Sequence, residues 1–255
     1  MSEANKIGTK IRRLPGQSLR EQWDDKFESN VTLPFMCAIA GITVACIEAM
    51  HVYGNTKPSM ALGMAMAVVG VVFVVRGLRR LKGLKALKRG ERGELIVAQA
   101  IEHDLIPNGY VVFHDVQLKD GKHRFNIDHL LIGPNGVFAI ETKNYSKPKR
   151  GEVKVTYDGK CVRWNGVAHK DDETRQAIAI AMAAKDLIFK ETGLNVFVKP
   201  VLCAVGWFTC SNDLYGHPVL LLMEKQLGSL IPKVYPKVPF SDQDRNLIIA
   251  KLSSL

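Results

Sequence analysis

Zinc has no evident place in this sequence. Its five cysteines, Cys37, Cys46, Cys161, Cys203 and Cys210, form no CxxC pair and no disulfide ladder, so they read as reduced, small apolar residues. The seven histidines, His51, His103, His114, His123, His129, His169 and His217, show no HxxxH or HExxH spacing, which excludes the helical zinc-hydrolase pattern. Aromatic residues are scarce at 7% within a hydrophobic total of 47%, a balance ordinary for a folded domain that selects no function class. A cleavable signal peptide is also not expected. Such a signal places a basic stretch directly before a short apolar core, whereas a long polar segment, residues 1–34, precedes the first apolar run here.

The apolar residues are instead concentrated between Phe35 and Val75. Phe35–Tyr53 (FMCAIAGITVACIEAMHVY) is nearly continuous, with Glu48 its one formal charge, and Met60–Val75 (MALGMAMAVVGVVFVV) carries none. The intervening Gly54-Asn55-Thr56-Lys57-Pro58-Ser59 has turn composition. This pattern predicts a two-helix transmembrane hairpin over residues 35–75. Glu48 lies near the end of its span, where its carboxylate would reach the interface. Small residues at every fourth position, Gly41, Ala45 and Ala49, then Gly63 and Ala67, would let the helices pack on each other or bring two copies together as a homodimer.

Arg76, Arg79, Arg80, Lys82, Lys85, Lys88, Arg89 and Arg92 follow the second run. By the positive-inside rule this cluster is cytoplasmic, which predicts a multi-pass protein of the inner membrane with both termini inside, residues 76–89 forming a basic juxtamembrane linker. A formal charge of +10 favours contact with something anionic, either the inner leaflet or nucleic acid, and does not decide between them.

The remaining segment, residues 90–255, reads as an α/β domain. A helical pattern opens at Gly90-Glu91-Arg92-Gly93-Glu94, with Leu95, Ala98, Ile101 and Leu105 at helical spacing, which puts Glu94 in a first turn. There it would favour the helix dipole whatever else it did. Strands are expected over Tyr110–Val116, Arg124–Ile132 and Val137–Lys143, the last two joined at Gly133-Pro134-Asn135-Gly136. Asp128, Glu141 and Lys143 therefore lie inside apolar strands, where an unpaired charge costs several kcal/mol.

A two-residue Pro134-Asn135 loop would set Asp128 directly opposite Glu141, with β-carbons about 5 Å apart. Lys143, two residues beyond Glu141, would share its face. A type I turn with a bulge at Gly136 would shift the register by one residue instead. Opposed carboxylates are hard oxygen ligands suited to Mg²⁺, and a neighbouring ammonium can position water and stabilise phosphoryl charge. An ordinary cross-strand cluster on a solvated edge is the alternative reading of the same residues.

Gly93-Glu94, Ile127-Asp128-His129-Leu130-Leu131-Ile132-Gly133-Pro134-Asn135-Gly136-Val137-Phe138 and Ile140-Glu141-Thr142-Lys143-Asn144 together resemble the nuclease-related domain, NERD. That family is placed with the PD-(D/E)xK restriction-endonuclease-like fold, a mixed sheet flanked by helices. The resemblance spans about residues 90–205. It implies that Asp128 and Glu141 bind Mg²⁺ or Mn²⁺, that Lys143 is the catalytic lysine and that Glu94 is a supporting acid. It also makes Gln176, near the start of a later helix, a site candidate.

Further along, Gly151–Tyr157 and Cys161–Trp164 read as a hairpin with Trp164 in the core. A helix over Glu173–Glu191 follows an Asp171-Asp172 cap, Asn195–Gly206 reads as a strand covering the sheet, and Asp242–Leu252 as a closing helix. The sequence thus predicts a membrane-anchored, metal-dependent nuclease acting on nucleic acid, DNA more than RNA. The alternative is a nucleic-acid-binding or scaffold module that kept the fold without turnover.

Overall fold

The computed structural model describes residues 13–53, 60–120, 123–168, 173–209, 216–234 and 240–255. The turn expected over Gly54–Ser59 and the Asp171-Asp172 cap lie outside these residues, as does the side chain of Glu48. The chain divides into two compact units: Ser18–Arg89, and the residues up to Gln17 together with Gly90–Leu255.

In the first unit, α1 (Gln17–Phe27) passes through a π-helical turn (Glu28–Thr32) into α2 (Leu33–Tyr53), and α3 (Met60–Asp104) begins after the undescribed turn. The π turn directly precedes Pro34, whose ring and missing N–H oppose a regular helix at that point, and a widened turn absorbs the clash. Small residues mark where α2 meets α3. A Cβ on Gly41 would lie 2.7 Å from the Met66 carbonyl oxygen, and one on Gly70 3.4 Å from that of Ala38.

The transmembrane hairpin expected over 35–75 needs correction. Among the described residues, one helical stretch is long and apolar enough to cross a membrane, Gln17–Ile47, with 18% of its most apolar window buried. Met36, Ile39 and Ile42 in it are all more than half exposed. The second apolar stretch, Met64–Arg76, is too short to qualify. At 1.5 Å per residue, a span needs about 20 apolar residues to cross the ~30 Å hydrocarbon layer.

The basic stretch read as a linker is also helical. α3 continues through Arg76–Arg92 and Gly93 to Asp104 without a break, so Glu94 sits deep in a 45-residue helix and not in a first turn. Each glycine costs about 1 kcal/mol against alanine in a helix, and the many Leu, Lys, Arg, Ala and Glu residues around Gly90 and Gly93 offset it. Gly93 has a packing reason as well, since a Cβ there would come within 2.6 Å of the Asn144 Cβ.

The second unit is built on a mixed five-stranded sheet in the order β1-β2-β3-β7-β9. β1 (Val111–Asp120), β2 (His123–Gly133) and β3 (Gly136–Lys143) form an antiparallel meander. A small second sheet, β6-β5-β4-β8, holds β4 (Lys154–Tyr157), β5 (Val162–Trp164), β6 (Val167–Ala168) and β8 (Phe208–Thr209). Between its parts runs α4 (Glu173–Thr192), a crossover long enough to return the chain parallel to β3 as β7 (Val198–Ala204). Leu220–Leu222 adds β9 at the edge, followed by the short α5 (Leu227–Leu230) and the closing α6 (Asp242–Ser253).

β7 therefore does not cover the sheet, as its apolar sequence suggested, but lies inside it. Every residue of this strand is buried, as a parallel strand with both faces covered requires. α4 and α6 pack on one face through Ile180, Ala184, Ile188, Ile248 and Leu252. Val97, Ile101 and Leu105 of α3 pack on the other with Leu227 and Ile231. The result is a mixed sheet flanked by helices on both faces.

The loop between β2 and β3 is the two-residue Pro134-Asn135 turn. Gly133 pairs with Gly136, and the ladder runs unshifted to His129–Ile140. Gly136 adopts φ +130°, which absorbs the turn without a bulge. Asn135 fastens it: Oδ1 accepts from the Tyr110 hydroxyl at 2.6 Å, and Nδ2 donates to the carbonyls of Ile231 and Val234 at 2.7 and 2.8 Å. The Tyr110 ring lies flat against Gly133, where a Cβ would fall 2.0 Å from a ring carbon. Gly133→Ala is accordingly expected to destabilise the fold by about 1–3 kcal/mol through overpacking, read as a shift of the urea unfolding midpoint.

Candidate active site

The unshifted register makes Asp128 and Glu141 the next opposed pair beyond His129–Ile140. The ladder stops there because the Thr142 amide donates to Asp128 Oδ2, at 2.7 Å, in place of a backbone carbonyl. Asp128 and Glu141 are 7% and 3% exposed. Lys143, next on the Glu141 face, donates from Nζ to Glu141 Oε1 at 2.7 Å and to Gln176 Oε1 at 2.9 Å. Gln176 Nε2 in turn donates to Glu141 Oε1 at 2.6 Å. Gln176 comes from the first turn of α4, so the helix crossing the sheet supplies the third corner of this triangle.

One Glu141 oxygen is thus held twice, while the other, Oε2, is buried without a hydrogen-bond partner. An orphaned buried carboxylate oxygen is costly unless a ligand meets it. Among the described residues no three His, Cys, Asp or Glu converge as a metal cage. Two carboxylates suffice for Mg²⁺, which keeps several waters and takes the rest of its coordination from substrate phosphate. The donors of Asp128 and Glu141 therefore fit a hard divalent cation.

Electrostatics bind the acids into one group. Burial, reinforced by the charges of Glu141 and Glu94, pushes the Asp128 carboxyl well above the usual range. Burial also raises Glu141, against the pull of Lys143. Lys143 is drawn down by burial, but the charge and hydrogen bond of Glu141 outweigh this, and its net shift is upward. Glu94, 4% exposed, is pushed from 4.5 to about 8 by burial and by Asp115. The backbone amide of Gly16, 2.9 Å from Oε2, partly counters that rise.

Asp115 was not among the candidates read from the sequence. It is fully buried, falls opposite Asp128 where the β1–β2 pairing skips one step, and holds φ +49°. Strict alternation would put Phe113 and Val116 on opposite faces, yet both pack in the cluster under α4, together with Ile127, Leu130 and Ile132 of β2. Both strands change face at the step that carries Asp115 and Asp128. A left-handed non-glycine residue stores about 1–3 kcal/mol of strain and persists where its surroundings fix it. The available sequence signal was the one used for Asp128: an acid inside an apolar strand.

Glu173, 3% exposed at the start of α4, is a second omission. Its Oε1 accepts from the Tyr145 hydroxyl at 3.1 Å and from Trp164 Nε1 at 3.2 Å, and its charge helps keep Lys143 protonated. Trp164 itself is core, 3% exposed against Trp207.

The structure thus brings together Glu94, Asp128, Glu141, Lys143 and Gln176. Comparison with known proteins gives this arrangement a family context. The model of the nuclease-related domain, NERD, matches residues 89–205. Residues 89–205 are thus similar to a nuclease-related domain. The matched NERD segment contains all five of these residues.

Two solved structures share a weak overall likeness. Can2 from Sulfobacillus thermosulfidooxidans, in complex with cyclic tetra-adenylate, is 8% identical with a TM-score of 0.32, the match covering 89% of this chain and 58% of Can2. Protein VC1899 from Vibrio cholerae is 13% identical with a TM-score of 0.29, over 95% of this chain and 59% of the other. The chain spans less than two thirds of either structure. No curated protein matches it.

The raised Glu94 value has a testable sign. A carboxyl that binds its proton more tightly when folded contributes stability below pH 4.5, and that contribution is lost as pH rises through about 8. Glu94→Gln removes the titration and keeps an oxygen for the Gly16 amide. Its advantage over the parent in metal-free buffer should grow by up to about 1.4 kcal/mol per pH unit across this window. Melts from pH 5 to 9 in chelator would show the two curves diverging; parallel curves would mean Glu94 is ionised throughout.

Proposed function

We propose that the chain is a metal-dependent nuclease of the PD-(D/E)xK type, hydrolysing phosphodiesters of nucleic acid, DNA in preference to RNA, at the inner membrane. The observation that carries this reading is the Glu141–Lys143–Gln176 triangle opposite Asp128, with Glu141 Oε2 buried without a hydrogen-bond partner. Its anchor would be the apolar window within the helical stretch Gln17–Ile47, where Met36, Ile39 and Ile42 are exposed and need an apolar cover. The net charge of +10 favours the polyanionic substrate.

Asp128 and Glu141 would hold Mg²⁺ or Mn²⁺, which supplies charge for the scissile phosphate and a more acidic water. The other roles belong to the chain's own atoms. Lys143 Nζ, charged and fixed by two acceptors, orients the attacking water and faces the phosphoryl oxygens as negative charge builds on them. Gln176 braces the Lys143–Glu141 ion pair, accepting from the ammonium and donating to the carboxylate. Glu94 holds a proton beside Asp128, lowering the repulsion within the acid cluster.

The full chain in detergent, with Mn²⁺ or Mg²⁺ and a panel of DNA and RNA substrates, tests this. Wild-type protein should cleave and should melt at higher temperature with metal. Glu141→Ala should lose both properties. Lys143→Ala should keep the metal-dependent rise while kcat falls by roughly 10²–10³. Nucleic-acid binding without cleavage, and with no metal-dependent rise in wild type, would replace the nuclease with a binding module.

A further inference from the structure

The segment ahead of the first helix lies outside the NERD match, yet it ends against the carboxylates. Arg13 Nε donates to Asp115 Oδ2 at 2.6 Å, the two side chains being 5% and 0% exposed, and the Arg13 backbone bridges His114 on β1. Three residues later the Gly16 amide donates to Glu94 Oε2. Gly16 holds φ +72°, and a Cβ there would lie 3.0 Å from Glu91 Cγ and 3.4 Å from the Glu91 backbone. The conformation that delivers this amide is therefore suited to glycine.

Besides Glu141, Asp115 and Glu94 are the acids next to Asp128 in the sheet and in its electrostatic surroundings. One is its cross-strand neighbour at the step where both strands change face, and the other contributes to its electrostatic environment. We propose that Arg13–Gly16 is a strap belonging to the nuclease site, in which Arg13 positions Asp115, and with it the β1–β2 step that presents Asp128, while the Gly16 amide positions Glu94. Both are positioning residues and do not touch substrate. Their effect on turnover rests on the nuclease reading; their effect on the order of the site does not.

The physical basis is twofold. Removing one partner of a buried ion pair leaves the other charge without compensation, and a left-handed aspartate relaxes when the contacts that fix it are removed. Groups in the shell around a metal-binding carboxylate orient it, and losing such a partner typically costs roughly 10- to 100-fold in metal affinity or activity.

The test uses the full chain with Arg13→Ala, Arg13→Lys, Asp115→Asn and the Arg13→Ala/Asp115→Asn double substitution. Amide hydrogen exchange over residues 91–96 and 127–130 should quicken in Arg13→Ala and return toward wild type in Arg13→Lys. With Mn²⁺ and a DNA substrate, kcat of Arg13→Ala should drop about 10- to 100-fold, with KM within about twofold. The double substitution should match Asp115→Asn alone, because Arg13 acts through Asp115.

Unchanged exchange in both segments of Arg13→Ala overturns the strap, whether or not the protein cleaves. Absence of cleavage by wild type removes the nuclease reading, and the exchange result still decides the strap. If Arg13→Ala does not fold, the double substitution carries the comparison: exchange equal to that of Asp115→Asn supports the strap, and a further loss in the double overturns it.

Discussion

Glu141 Oε1 accepts two hydrogen bonds, from Lys143 and Gln176, and the second unit is arranged so that this can happen. The lysine must lie on the strand, two residues along, and the glutamine must reach it from the helix that crosses the same face. Asp128 must stand opposite, which demands the two-residue turn. A buried carboxylate is tolerable only when hydrogen bonds and counter-charge replace its water. Around Glu141 they do so for one oxygen, while the other remains buried without a partner.

The acids nearby impose a second constraint. Glu94 lies within electrostatic reach of Asp115, Asp128 and Glu141, and repulsion in this group is met by several separate means: an upward shift that keeps a proton on Glu94, the Arg13 guanidinium on Asp115, the Thr142 amide on Asp128 and the Lys143 ammonium on Glu141. The backbone contributes as well, through the left-handed Asp115 and the interrupted pairing beside it. Local irregularity concentrated where charge is concentrated is the pattern of a site whose geometry is maintained against its own electrostatics.

Part of this was legible in the sequence. Asp128, Glu141 and Lys143 followed from a strong turn signal and the parity of strand positions, which are local properties. Gln176 came only through the family resemblance, because nothing in the composition of a helix start says which strand it faces. Glu94 was found but misplaced: the helix runs through Gly90 and Gly93, and Gly93 lies against Asn144, a contact between distant residues that short-range pattern does not show. Asp115 and Arg13 escaped for the same reason, since a positive φ and an ion pair bridging 102 positions leave no trace in short-range pattern. The apolar β7 was recognised as a strand, but its place inside the sheet depends on the crossover made by α4. The second apolar run looked like a span by composition, yet among the described residues its apolar part, Met64–Arg76, is shorter than a span requires.

The turn that aligns Asp128 with Glu141 is secured from far downstream. Asn135 reaches carbonyls 96 and 99 positions later, at Ile231 and Val234, both beyond the segment that matches the family. While the chain is being synthesised, β2 and β3 exist long before those carbonyls do, and during that interval the Tyr110 hydroxyl alone of the three Asn135 contacts can hold this residue against the competing bulged turn. A growing chain therefore carries its acids and its lysine well before it carries the clamp that holds them in register, so the finished site is a late product of translation.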